Sequence, residues 1–123
     1  MRTCFLPLAL ALLPVLPAAA ADADRGRSLF QRQCASCHQV AQPRNGVGPH
    51  LMGVVGRPAA SVAGANYSPA LRGAGITWST EELDGFLTNP AVRVPGNRMP
   101  IRVPASADRE DIIEFLTSVA PPG

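Results

Sequence analysis

Two thiols and an imidazole fall within five residues of this chain, Cys34-Ala35-Ser36-Cys37-His38. On a helical turn, a two-residue gap lets both thiols reach the two vinyl groups of a single haem, and His38 then faces its iron. A segment fastened three times to one flat group obliges the rest of the chain to wrap around that group. Competing readings explain less. A plain disulfide makes no use of the histidine that follows. A zinc site from Cys34, Cys37, His38 and His50 would need ligands at two adjacent positions, unlike the usual paired spacing. A thioredoxin-like redox pair lacks its βαβ surroundings.

The chain opens Met1-Arg2-Thr3-Cys4, continues through an apolar stretch from Phe5 to Leu16, and reaches Pro17-Ala18-Ala19-Ala20-Ala21. Charge, apolar core and small residues in that order read as a secretory signal, residues 1–21, cut after Ala20 or Ala21. A membrane anchor would need ~20 apolar residues; this stretch is shorter and is broken by Pro7 and Pro14. Cys4 precedes the apolar core and leaves with it. The expected product is one exported domain, residues 22–123, without a membrane span and located in the periplasm.

That domain is short of aromatic filling, with one Tyr, one Trp and four Phe in the whole chain, Phe5 among them in the leader. A domain this small buries a limited fraction of its surface and leans on a cofactor or crosslink, a role a buried porphyrin would fill. All eleven basic residues are Arg, with no Lys, against nine acidic residues. A balance so near neutral excludes a strongly basic nucleic-acid face and leaves net charge little power to steer partners.

Asp24 is positioned as the N-cap of a first helix through Gly26, Leu29, Phe30 and Gln33, which delivers the haem motif at its end. Residues 42–64 are too rich in Gly and Pro for a long regular element, so they form a loop that must wrap something. Ser79-Thr80-Glu81-Glu82 is a capping box that opens a helix with Leu83, Phe86 and Leu87 on one face, ended by Pro90. Ala91 to Pro104 reads as a second structured loop, because its prolines exclude a helix interior. A last helix starts near Ser106 or Asp108, carries Ile112, Ile113, Phe115, Leu116 and Val119, and stops before Pro121-Pro122. No alternating strand pattern competes, so the class is all-α.

The second axial position could be taken by His50, Met52, Met99 or nothing. Met99 lies in Pro95-Gly96-Asn97-Arg98-Met99-Pro100, where flanking prolines can hold a thioether against iron, whereas a Met used as core filler would suit a less polar segment. His50 and Met52 follow His38 closely and should lie on its side of the haem.

Taken in order, these pieces resemble a class I monohaem cytochrome c of the mitochondrial-like type, from about Gly26 to Leu116. The matching segments are Gly26-X-X-X-Phe30-X-X-X-Cys34-X-X-Cys37-His38, Gly48-Pro49-X-Leu51-X-Gly53-X-X-Gly56-Arg57, Tyr67-Ser68, Gly75-Ile76-Thr77-Trp78, Pro95-Gly96-X-X-Met99 and Arg109-Glu110-Asp111. The resemblance implies about three main helices plus short ones, wrapped with long loops around one covalent haem c and its iron. It implies His38 and Met99 as axial ligands, Cys34 and Cys37 as thioethers, and a Pro49 carbonyl accepting the other ring N–H of His38. It places Arg57, Tyr67 and Trp78 at a buried haem propionate, and Gly26 with Phe115 where the first and last helices cross. Three departures stand out: Phe86 replaces a family Tyr near the Met sulfur, Ile101 replaces an aromatic after the Met, and the lysine ring of family docking faces is absent, leaving Arg such as Arg98 and Arg102.

Iron held by His and Met has no open position, so the expectation is a single-electron carrier between redox protein partners and not an enzyme. The alternative is an electron-transfer subunit of a larger periplasmic oxidoreductase. In state, either a monomer or a member of such a hetero-complex fits. A haem enzyme or gas sensor would require Met99 to be away from the iron.

Overall fold

The computed structural model describes residues 1, 3, 4, 7, 9–16 and 20–123. Arg2, Phe5, Leu6, Leu8 and Pro17-Ala18-Ala19 of the expected leader lie outside them. The described part of this expected leader forms no regular element, and Leu10, Leu12, Leu13, Val15 and Leu16 are exposed. Among the described residues no helix is long and apolar enough to cross a membrane.

The first helix, α1, spans Ala23–Gln33. Its N-cap is Asp22 and not the expected Asp24: the Asp22 carboxylate accepts from the N–H of Asp24 (2.9 Å) and of Arg25 (3.0 Å). Asp22 has the extended backbone a cap needs, so Asp24 falls in the first turn, where its charge still favours the helix. Gly26, Leu29 and Phe30 form the buried stripe, as their spacing predicts. Two single-turn helices, α2 (Pro69–Arg72) and α4 (Pro90–Arg93), flank α3 (Thr80–Thr88), and α5 (Ser106–Ser118) closes the chain.

Ser79 caps α3 through the Glu82 N–H at 3.1 Å, but the reciprocal half of the expected capping box is missing. The Ser79 N–H is already held by the Thr77 carbonyl at 2.8 Å, and the Glu82 carboxylate instead grips Arg93 at 2.6 and 2.9 Å. The expected loop from Ala91 to Pro104 also needs correction, because it begins in α4. Proline is tolerated there at the first helical position, where the missing N–H would have had no partner.

Helices α1 and α5 cross and pack on each other. At the crossing a methyl on Gly26 would overlap the Asp111 carbonyl, so glycine is required for the two backbones to meet. Gly26 and Phe115 both lie at this crossing, as expected. Backbone of α5 fills the space at Gly26, and the Phe115 ring packs on Phe30, centroids 5.5 Å apart and tilted by 54°. At the edge, Arg25 bridges Asp108 (2.7 Å) and Asp111 (2.6 Å). Arg109 ties α5 to α3 through Asp84 at 2.7 Å and donates to the carbonyls of Val103 and Pro104.

The architecture is all-α, with one isolated bridge, Pro58–Thr77, and no strand among the described residues. Residues 42–64 are irregular as expected. Asn45 spans them, accepting the His50 N–H at 3.1 Å and donating to the Ala63 carbonyl at 3.0 Å. Gly53 presses on Pro121 and donates to Val119, which closes this loop against the end of α5.

Candidate functional site

Where α1 stops, its last carbonyls organise the motif that follows. Cys34 and Ala35 both donate to the Phe30 carbonyl, at 2.8 and 3.0 Å, and Cys37 and His38 then fold back onto the Cys34 carbonyl, at 3.1 and 3.0 Å. This tight turn keeps the two thiols and the imidazole on one side of the chain. Cys34 is buried, and burial, followed by its neighbour Cys37, pushes its thiol up to about 11. That is the reverse of a thiolate-forming environment.

His38 is half-buried, and its Nδ1–H donates to the Pro49 carbonyl at 2.7 Å. A carbonyl can only accept, so the tautomer is fixed and Nε2 keeps its lone pair. Burial lowers the imidazole pKa, the Pro49 bond works the other way and Arg57 lowers it further. Gly48 makes the bond possible, since a methyl there would overlap the His38 ring.

Met99 reaches the same place from a separate loop. Asn97 arranges it: its side-chain amide donates to the carbonyls of Pro90 and Val94, both at 2.7 Å, and its Oδ1 accepts the Met99 N–H at 2.8 Å. Gly96 precedes with φ +89°, a left-handed conformation that L side chains rarely adopt. After Met99 the Val103 N–H donates to the Leu87 carbonyl at 2.8 Å and pins the far end of the loop to α3.

Between these parts lies a cavity of about 430 Å³ with mainly apolar walls from Phe30, Leu83, Phe86, Leu87, Ile112 and Leu116. This falls within the roughly 300–1,000 Å³ of small-molecule and cofactor clefts. Cys34, Cys37, His38, Pro49, Arg57, Tyr67, Trp78 and Met99 all line it. His50 and Met52, the other sequence candidates for the second ligand, do not. Phe86 meets Trp78 edge-on at 4.9 Å, and Ile101 sits exposed on the rim.

One side of the cavity is polar. Arg57 donates through Nη1 to the carbonyls of His50 (3.0 Å) and Met52 (3.2 Å), while its Nε is buried with no partner. Burial lowers the guanidinium pKa, and Arg57 is in none of the ion pairs among the described residues. The Tyr67 hydroxyl accepts from the Val62 N–H at 3.1 Å, which leaves its own proton to donate. Trp78 is held beside Arg57 by its backbone N–H, which donates to the Arg57 carbonyl at 2.9 Å. A half-buried cation with a buried, unused donor asks for an anion. Two thiols, a neutral imidazole, a thioether, apolar walls and this cationic end together fit a haem with its propionates.

Sequence reasoning named all eight of these lining residues but missed Asn97. Its only sequence signal is its place between Gly96 and Met99 in a proline-bounded loop.

Residues 21–116 match the family model described as "Cytochrome C oxidase, cbb3-type, subunit III". The chain is 39% identical over 99 residues to cytochrome c-type cyt cy of Rhodobacter capsulatus, covering 80% of this chain but 49% of that protein. It thus spans about half that relative's length. It is 40% identical over 99 residues to cytochrome c of Euglena viridis, covering 80% of this chain and 97% of that one. Among solved structures, cytochrome cH from Methylobacterium extorquens superposes with a TM-score of 0.75 at 36% identity, covering 80% of this chain and 99% of that one. Fold, cavity and kinship agree, and the chain belongs to the class I monohaem cytochromes c, electron carriers built on one covalently held haem c.

Proposed function

We propose that this protein is an exported single-electron carrier in which His38 and Met99 are the axial iron ligands and Cys34 and Cys37 the thioether attachments. The observation that carries the reading is that all four line one mainly apolar cavity although Met99 comes from a loop 61 residues after His38. When bound, haem supplies a one-electron iron couple whose potential a thioether ligand raises. The chain's part is to present and hold groups. Pro49 orients His38 with Nε2 free, Asn97 orients Met99, and the apolar walls exclude water. Arg57, Tyr67 and Trp78 form the end that would receive a propionate, offsetting the cost of burying its charge.

Residues 1–21 are read as a secretory leader that directs the domain to the periplasm, where redox proteins supply and accept the electron. Val47, Pro100 and Ile101 are exposed where the cavity opens, which suits docking of such partners. A second reading, a subunit of a larger oxidoreductase, draws on the matching family model, whose description is that of an oxidase subunit.

The test is the visible spectrum of the exported protein, oxidised and reduced, with carbon monoxide added to the reduced form. A low-spin spectrum with a weak far-red sulfur-to-iron band and no response to carbon monoxide is expected. High-spin features or ready carbon monoxide binding would replace the carrier by an enzyme or sensor.

A further inference from the structure

The backbone N–H of Asp22 donates to Asp111 Oδ1 at 2.8 Å, across the α1–α5 crossing. Among the described residues it is the first backbone group that the helical fold holds. Asp111 is buried, and its other oxygen is taken by Arg25. Immediately before Asp22, Ala20 and Ala21 are exposed and in no regular element, and the sequence there is a run of alanines, the small residues that leader peptidases accept. Ala21 itself lies against a groove between α3 and α5 lined by Glu81, Asp84, Glu110 and Glu114.

We propose that the leader is cut between Ala21 and Asp22 and that the α-ammonium this creates forms an ion pair with Asp111, fastening α1 to α5. The proposal rests on the reading of residues 1–21 as a leader. In the cut, water adds across the peptide bond, Ala21 leaves carrying the new carboxylate, and Asp22 keeps the amine, which takes up a proton. A hydrogen bond from a neutral amide to the Asp111 carboxylate thereby becomes a contact between two opposite charges without moving an atom of the fold. Cutting after Ala20 would put the charge one residue outside this contact, and cutting after Asp22 would remove the cap of α1.

The new ammonium faces an anionic surrounding: Asp22 and Asp24 with Arg25 on α1, Asp108 and Asp111 on α5, and Glu81, Asp84, Glu110 and Glu114 with Arg109 around the groove. Such a surrounding holds the proton on the amine. The chain has no Lys, so this amine is the one primary amine of the processed protein, and its chemistry can be read without interference.

The experiment takes the exported holoprotein, measures its intact mass, and follows the rate of single labelling by an amine-selective reagent at about pH 7. The comparison is a variant with one glycine inserted between Ala21 and Asp22, which moves the amine out of the contact and leaves Asp22 an amide. A chain beginning at Asp22 and labelled about tenfold more slowly than the insertion variant is expected, since the ion pair holds the amine in its protonated, unreactive form. Asp111→Asn should bring the rate close to that of the insertion variant; the insertion comparison decides if Asp111→Asn does not fold. A mass that retains the leader overturns the leader reading itself. A start at Ala21 or any other residue overturns the assigned bond while leaving export intact. A start at Asp22 with labelling as fast as in the insertion variant overturns the ion pair.

Discussion

The two sides of the cavity are held in different ways. On the His38 side the chain is continuous with α1, and the contacts are backbone or nearly so: Gly48 N–H to the Cys37 carbonyl at 2.9 Å, Leu51 N–H to the Gln39 carbonyl at 2.8 Å, and His38 to Pro49 at 2.7 Å. On the Met99 side the stretch that carries Met99 is held by one side chain, that of Asn97, with Gly96 turning the backbone before it and the next fastening only at Val103. A surface assembled from backbone contacts and covalent anchors resists local opening, whereas a stretch held between its ends by a single amide opens as a unit. The Met99 side should therefore yield first under any stress.

The largest effect tests the anchored side. In a Cys34→Ser, Cys37→Ser protein the apolar walls have no attached group to cover them, and the Gly- and Pro-rich loop has little to pack on. Circular dichroism should show loss of most helical signal; native-like helicity would make the anchoring dispensable. Next is Met99→Ala, which leaves the His38 side untouched. The far-red band should vanish, the reduced protein should bind carbon monoxide, and the potential should fall with loss of the soft ligand. An unchanged spectrum would remove Met99 from the iron.

Asn97→Ala sharpens the comparison, because it keeps both proposed ligands and removes only the suspension. Its three hydrogen bonds are lost, a cost of roughly 2–3 kcal/mol at about 1 kcal/mol each, falling mainly on the loop. Partial carbon monoxide binding with haem still attached is expected. If the global unfolding midpoint drops while the band persists, the loop is not an independently opening unit.

The smallest effect concerns the scaffold common to both sides. The Asp22 N–H, and after it the Arg25 guanidinium, hold the Asp111 carboxyl below its ordinary value. With the folded pKa depressed, this contribution is complete above the unfolded value of about 3.9 and is lost as the pH falls through the lower folded value. Asp111→Asn should thus lower the urea midpoint near neutrality and flatten its decline in acid. Parallel acid limbs for the two proteins would remove Asp111 from the acid response.

What the sequence made legible was whatever depends on local order. The buried stripe of α1, the Ser79 cap and the end of α3 before Pro90 follow from spacing and stereochemistry, and motifs in register named the eight residues that line the cavity. What stayed hidden depends on partners distant in the chain. Asp22 and Asp24 are equivalent as cap residues until the path of α5 brings Asp111 to the Asp22 N–H. Glu82 fits a capping box until α4 presents Arg93. That Phe115 packs on Phe30 shows only once the backbones of α1 and α5 meet at Gly26. Asn97 carries no signature, because two of its three bonds end on carbonyls that only the turn of α4 brings to it.

The amide of Asn45, which joins His50 to Ala63 across the wrapping loop, has no proton to gain or lose over the biological range. A carboxylate or an imidazole in that position would tighten and slacken the loop as the medium changed. With Asn45 as the buckle, the strap keeps one tension from acid to alkaline surroundings, and any drift in the cavity's behaviour with pH has to originate in a neighbour such as His50 and not in the fastening.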